Sequence, residues 1–283
     1  MYGRGLPSYE MMAPLRFTNV HIQEAYLTIH TRSVLDFLRA CPDLECFHFI
    51  GRFHFTGWDY DDNDFSLDHL PVVALPNLHT LQFDGTCYTR AYLSCLHTPL
   101  LQYLDLANLS FQFKLEGDYN EPGDSEDEAG DYSLSSFSDQ AIGMGLRKLI
   151  QRSHPPLKVL EMKESDMRTK DFHYTFDRMT HLEDLRIARS DMSDKVLQLL
   201  KSKFSEDGTV HLRLPHLRIL RLSSCQRLSG SAIVSALTAR LTYTDNNLGS
   251  QTLSEVAIVL CNGFSSTHRA QLERLLHSRL QYD

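Results

Sequence analysis

The side chains best suited to metal or nucleophilic chemistry in this 283-residue chain are six cysteines, Cys41, Cys46, Cys87, Cys95, Cys225 and Cys261, and fourteen histidines. No two cysteines have the C-x-x-C spacing that lets two thiolates share a zinc ion, so metal and redox motifs are not expected. Buried thiols in a reducing compartment are the remaining reading. Asp59-Tyr-Asp61-Asp-Asn63-Asp64 opens like a calcium loop, but the sixth and twelfth places, which call for Gly and Glu, hold Asp64 and Leu70. It reads as a solvated turn bearing Trp58 and Phe65, with a casual surface cation site as the lesser alternative. There is no G-x-S-x-G elbow, H-E-x-x-H pair, Walker phosphate loop or G-x-G-x-x-G turn, and Gly143-Met-Gly145 lacks both a third glycine and a preceding strand. The expectation is therefore no catalytic residue, no metal, no cofactor and no enzyme.

The formal charge of −8 is concentrated in one place. Eight acids (Glu116, Asp118, Glu121, Asp124, Glu126, Asp127, Glu128, Asp131) fall between residues 116 and 131 with no Lys or Arg among them. The chain has 36 acids and 28 bases in all, so everything outside this stretch is neutral. Nucleic acid and anionic membrane both select a net basic face, and neither is expected as a partner. Residues 116–136, rich in acid and Gly and poor in apolar side chains, are expected to be a disordered insertion. Within it, Ser125-Glu-Asp-Glu128 would suit an acid-directed kinase, which makes Ser125 a candidate phosphorylation site. No run approaches 18 apolar residues and no basic patch precedes an apolar stretch at Met1, so a soluble cytoplasmic or nuclear protein is expected.

The elements that must position any functional side chain show themselves as a repeat. An L-x-x-L-x-L phrase, with other apolar residues allowed in the Leu places, recurs as Leu44-Phe47-Phe49, Leu78-Leu81-Phe83, Leu101-Leu104-Leu106, Leu157-Leu160-Met162, Leu182-Leu185-Ile187, Leu217-Leu220-Leu222 and Leu253-Val256-Ile258. A weaker copy, Met12-Leu15-Phe17, opens the series. Five copies follow a proline (Pro42, Pro76, Pro99, Pro156, Pro215) that ends a helix and leads into a strand. The last two apolar places are one residue apart, which puts both on one strand face. Helical patterns lie between phrases, at residues 33–40, 90–96, 142–152, 193–200, 229–237 and 267–280, several opening on a Ser or Thr suited to capping. One strand and helix cannot bury their own apolar strip, but stacked copies can. The prediction is an α/β solenoid: one domain over residues 1–283, of about eight units, with a parallel sheet on the concave side and helices on the convex side.

Two units read L-x-x-L-x-L-x-x-C in full, Leu217 to Cys225 and Leu253 to Cys261. In this the chain resembles leucine-rich-repeat proteins of the ribonuclease-inhibitor-like or cysteine-containing type, which implies a horseshoe. Val20, Arg52, Thr86 and Leu109 take the Asn/Cys place in the early units, and Ser165 and Ser190 take it later. The continuation Gln226-Arg-Leu-Ser-Gly-Ser-Ala-Ile233 is similar to that of F-box leucine-rich-repeat substrate receptors. Val34 to Glu45 also resembles the repeats of fungal F-box proteins. The resemblance spans roughly residues 12–280 and implies a monomeric substrate receptor of a ubiquitin ligase. A Skp-type adaptor is expected only if an F-box exists upstream, since Leu6-Pro7 is all that corresponds to the opening of that motif. A leucine-rich-repeat regulator of an enzyme, such as a small GTPase, is the alternative.

The residues flanking the buried pair of each phrase would line the hollow. Those between the pair give a ladder of Arg16, His48, Gln82, Asp105, Glu161, Arg186, Arg221 and Ala257, with Thr18, Asp84 and Lys163 following it and Tyr103 and Asp184 preceding it. His48, Gln82, Asp84, Tyr103, Asp105, Glu161, Lys163, Asp184, Arg186 and Arg221 are the candidate protein-binding residues. Their acidic centre and basic flank suit a partner with a bipolar charged patch. As outward-facing cations, Arg186 and Arg221 are expected to be reversible to Glu with little effect on unfolding.

Overall fold

The computed structural model describes residues 14–24, 31–51, 70–86, 89–108, 142–165, 167–190, 192–204, 210–246 and 251–281. The acidic stretch with Ser125, the calcium-like segment, Met12 and Cys87 lie outside them. In chain order the elements are β1 (Asn19–Gln23), α1 (Thr31–Arg39), β2 (Cys46–Ile50), β3 (Val73–Ala74), β4 (Thr80–Asp84), α2 (Thr89–Cys95), β5 (Leu96–His97), β6 (Tyr103–Ala107), α3 (Ile142–Ser153), β7 (Val159–Lys163) and α4 (Thr169–Arg178). They continue with β8 (Asp184–Ala188), α5 (Asp194–Gln198), β9 (Lys203–Phe204), β10 (Val210–His211), β11 (Ile219–Ser223), α6 (Gly230–Thr244), β12 (Glu255–Val259), α7 (Ser266–Leu276) and β13 (Leu280–Gln281).

Nine of these strands form one sheet in strict chain order, β1-β2-β4-β6-β7-β8-β11-β12-β13, with every neighbouring pair parallel. The repeated phrase sets the register. Phe47, Leu81, Leu104, Leu160, Leu185, Leu220 and Val256 stand side by side, and so do Phe49, Phe83, Leu106, Met162, Ile187, Leu222 and Ile258. Apart from half-buried Ile258, all are buried, in one cluster with helix residues such as Leu35, Leu93, Leu146, Phe172, Val196 and Ile233. A slip of one residue would put these side chains in water and the polar alternates in the core, so the alternation enforces the alignment.

The first Leu of each phrase has a separate task. Leu44, Leu78, Leu101 and Leu217 are buried, and each donates its N–H to the carbonyl three residues back (Cys41, Leu75, Thr98, Leu214). Pro42, Pro76, Pro99 and Pro215 occupy the second place of these turns, where the fixed proline φ is already suitable. Directly after six successive strands comes a left-handed residue: Gly85, Asn108, Glu164, Arg189, Ser224 and Leu260, with φ between 49° and 63°. The N–H groups of the first five donate to the last carbonyl of the next strand (Ala107, Lys163, Ala188, Ser223 and Val259), carrying the ladder through the corner. Just beyond, the Ser165 hydroxyl donates to the Leu106 carbonyl at 2.7 Å, and the Cys225 and Cys261 thiols face the Ile187 and Leu222 carbonyls at 3.7 and 3.9 Å. At these three corners the motif's last place thus fastens a unit to the one before.

Three expectations need correction. The first rung is not Leu15-Phe17: Val20 and Ile22 of β1 pair with Phe47 and Phe49, so Arg16, Thr18 and Phe17 precede the strand and Phe17 is exposed. Val20 is therefore an inward strand residue, not the Asn/Cys place. Helix α4 was not anticipated, although its buried Phe172, Thr175 and Phe176 have helical spacing. The last helix stops at Leu276, and Leu280–Gln281 pairs with β12 as a further strand. No helix among the described residues is long and apolar enough to cross a membrane.

Candidate functional site

The helices and the apolar side chains occupy one face of the sheet, and the alternate strand residues form the other. Its central row is His21, His48, Gln82, Asp105, Glu161, Arg186, Arg221, Ala257 and Gln281. Nine strands at ~4.8 Å spacing make it about 38 Å long. All ten candidate residues lie on this face, and nine are half-buried or exposed. Asp184 is the exception at 5% exposure. Arg16 is absent from the face and pairs with Asp43 at 2.6 Å. Its place is taken by His21, whose ring stacks on that of His48 at 4.5 Å between centroids. The signal that would have found His21 is the alternation in Asn19-Val-His-Ile-Gln23.

Several of the charges on this face are partnered within it. Arg186 donates to Asp184 at 2.7 Å and to Glu161 at 3.3 Å, and Tyr103 donates to the same Glu161 oxygen at 3.4 Å. Arg221 pairs with Glu255 at 2.7 Å, and Asn108 donates to Asp84 at 2.6 Å. The two arginines are thus not a basic flank held out to solvent. Arg186 covers a buried carboxylate, so its reversal is expected to cost stability, which register alone did not foresee. Glu255, on the leading row two strands from Asp184 with Ile219 between them, also lies on this face.

At the centre, negative charge is less well compensated. Burial, and then Glu161 across the strand gap, raise the Asp105 carboxyl to about 6, against the opposing hydrogen bond from Gln82. Burial and the neighbouring Asp105 and Glu161 charges raise the Tyr103 phenol. At the other end, burial and then His21 lower the His48 imidazole, with Asp84 opposing. In order along the strip stand two stacked imidazoles, an acidic middle with a phenol, and two ion-paired guanidinium groups. Exposed Lys163 lies beside the acidic middle.

Neither a family model nor a curated protein matches the chain. Pairing between neighbours holds its polar side chains in place before any partner arrives, so little ordering remains to oppose association. Fixed donors, acceptors and a phenol are the kinds of group through which protein surfaces recognise one another by shape and hydrogen bonding.

Proposed function

We propose that the chain is a leucine-rich-repeat solenoid of the horseshoe type, monomeric, whose open sheet face binds a protein. Its wider role is the substrate-recognition region of an F-box-type ubiquitin-ligase receptor of the cytoplasm or nucleus. The observation that carries the binding role is a nine-stranded parallel sheet with helices on one face and pre-paired polar side chains on the other. A parallel sheet is ordinarily covered on both faces, so one left open is a surface suited to a partner. The receptor role rests on the likeness of the Cys225 to Ile233 continuation to F-box receptors.

Affinity capture with the full natural chain tests both. A ubiquitin-ligase receptor recovers a Skp-type adaptor and a cullin together with its target. Recovery of a small GTPase instead overturns the receptor role in favour of an enzyme regulator. The face itself is tested with Lys163→Glu, since Lys163 is exposed: it should weaken binding of the captured target about tenfold or more while the unfolding midpoint holds. Unchanged affinity in this variant and in Gln82→Arg would sink the open face as the contact surface.

A further inference from the structure

We infer that Cys225 and Cys261 form an oxidation site, in which hydrogen peroxide converts Cys261 to a sulfenic acid and Cys225 then closes a disulfide between the β11 and β12 units. This inference is independent of the partner and of the receptor role proposed above. It begins with the repeat. Cys225 lies three residues after Leu222 and Cys261 three after Ile258, and these two apolar residues are register partners on adjacent parallel strands. Neighbouring strands run ~4.8 Å apart, inside the ~4.4–6.8 Å between Cα atoms that a disulfide spans. Each sulfur also lies 3.6 Å from the last carbonyl of its own strand, Ser223 or Val259, so the thiols are equivalently placed one unit apart. Cys41, Cys46 and Cys95 occupy a turn, the open sheet face and helix α2, and do not form such a pair.

The surroundings of the two sulfurs differ. The Cys225 side chain, and then the Cys225 and Ser224 main chain, lower the Cys261 thiol and favour its thiolate against the effect of burial. Burial acts without such help on Cys41, whose thiol is pushed up to about 11, and it also raises Cys46 and Cys95. The thiolate is the form that attacks peroxide, so Cys261 reacts first. Access comes from its position. Leu260, beside it, is 76% exposed, and the unit beyond is the two-residue β13 with α7, most of whose side chains are not buried. A unit near the edge of a stack opens at less cost than the whole fold.

The chemistry balances. The Cys261 thiolate attacks one peroxide oxygen, the O–O bond breaks, and the departing hydroxide takes a proton to become water. Cys225 sulfur then attacks the sulfenic sulfur, the S–O bond breaks, and the hydroxyl leaves as a second water with the Cys225 proton. Two thiols lose two electrons and two protons, and one peroxide becomes two waters.

The test is a disulfide map of the full-length protein after brief hydrogen peroxide treatment, with remaining thiols blocked before non-reducing digestion. The expected product joins the Cys225 and Cys261 peptides and is lost on adding dithiothreitol. In native protein at pH 7.5, Cys261 should also alkylate about tenfold or more faster than Cys41. Cys225→Ser should leave a dimedone-trappable sulfenic acid at Cys261 with no cross-link, and Cys261→Ser should leave Cys225 as a thiol. Cys261 staying a thiol until urea unfolds the protein, joining a different cysteine, or passing to sulfinic acid in the unaltered chain would each overturn the inference. The map of the unaltered protein decides even if a serine variant fails to fold.

Discussion

Asp105 stands between Gln82 and Glu161 on neighbouring strands, with Asp84 on the diagonal, and its proton is held more tightly in the folded protein than in the unfolded chain. Its pKa is raised on folding, so stability falls as pH rises from the ordinary carboxylate value of 3.8 through about 6. Asp105→Asn removes that charge and keeps an acceptor for Gln82. It should stabilise the protein by about 1 kcal/mol at pH 7.5, well below the full linkage value because solvent screens this half-open face. The gain should vanish below pH 4, which denaturant titrations of both proteins across the range would show; a gain that persists there would mean another cause. Arg186→Glu faces the opposite situation, because Asp184 is buried and would be left against a like charge. A loss of about 2–4 kcal/mol is expected, against under about 1 kcal/mol for Arg221→Glu, whose pair with Glu255 is much more exposed. Equal losses by chemical denaturation would show that burial of the partner does not matter. Which side chains share this face was legible from the spacing alone, as with Asp184 and Arg186 two residues apart. Their pairing was not, since it depends on side-chain reach across strands and on which carboxylate loses its water.

Helix α6 carries a buried arginine whose guanidinium is held by main-chain carbonyls. Arg240 is completely buried and donates to the carbonyls of Leu200, Arg213 and Leu214. Burial lowers its pKa to about 10, so it remains cationic at neutral pH. Leu214 is left-handed, φ 49°, directly before Pro215, and the guanidinium ties that corner to the helix. Arg240→Met should fill similar volume but strand three carbonyls, costing about 2–4 kcal/mol by equilibrium unfolding. A neutral result would mean that the carbonyls find water instead. Nothing in the sequence marks Arg240 as interior, because helix α6 is polar and apolar without a sharp stripe. The strands from Leu44 to Ile258 were legible because Leu, Phe, Ile, Met and Val recur at fixed offsets and the same offsets bury them. At Leu15 and Phe17 the template fitted residues that precede the strand, while Val20 and Ile22, lacking a buried leading Leu, pair with β2. Strand β13 was hidden because two residues carry too little alternation to be distinguished from a helix end. The candidate face followed wherever the register was right and failed at its two ends, at β1, where His21 replaces Arg16, and at β13, which adds Gln281.

Each unit contacts mainly its neighbours, so protection from hydrogen exchange should be graded along the described sheet. Amides of β6, β7 and β8, flanked on both sides, are expected to exchange slowest, and those of β1 and β13 fastest; mass spectrometry over a deuterium time course gives the order. Uniform protection would indicate a single all-or-none unit. The same layout separates what can change in length from what cannot. Eighteen residues separate Asp84 from Tyr103 and 51 separate Ala107 from Val159, yet the strands on either side keep unbroken alignment. One residue added inside β6 would turn Tyr103 and Asp105 inward and Leu104 to water. Dozens added between strands leave the stripe as it was. Descendants of this gene can therefore acquire whole new appendages on the connecting side while the polar stripe, fixed to a two-residue beat, stays the same.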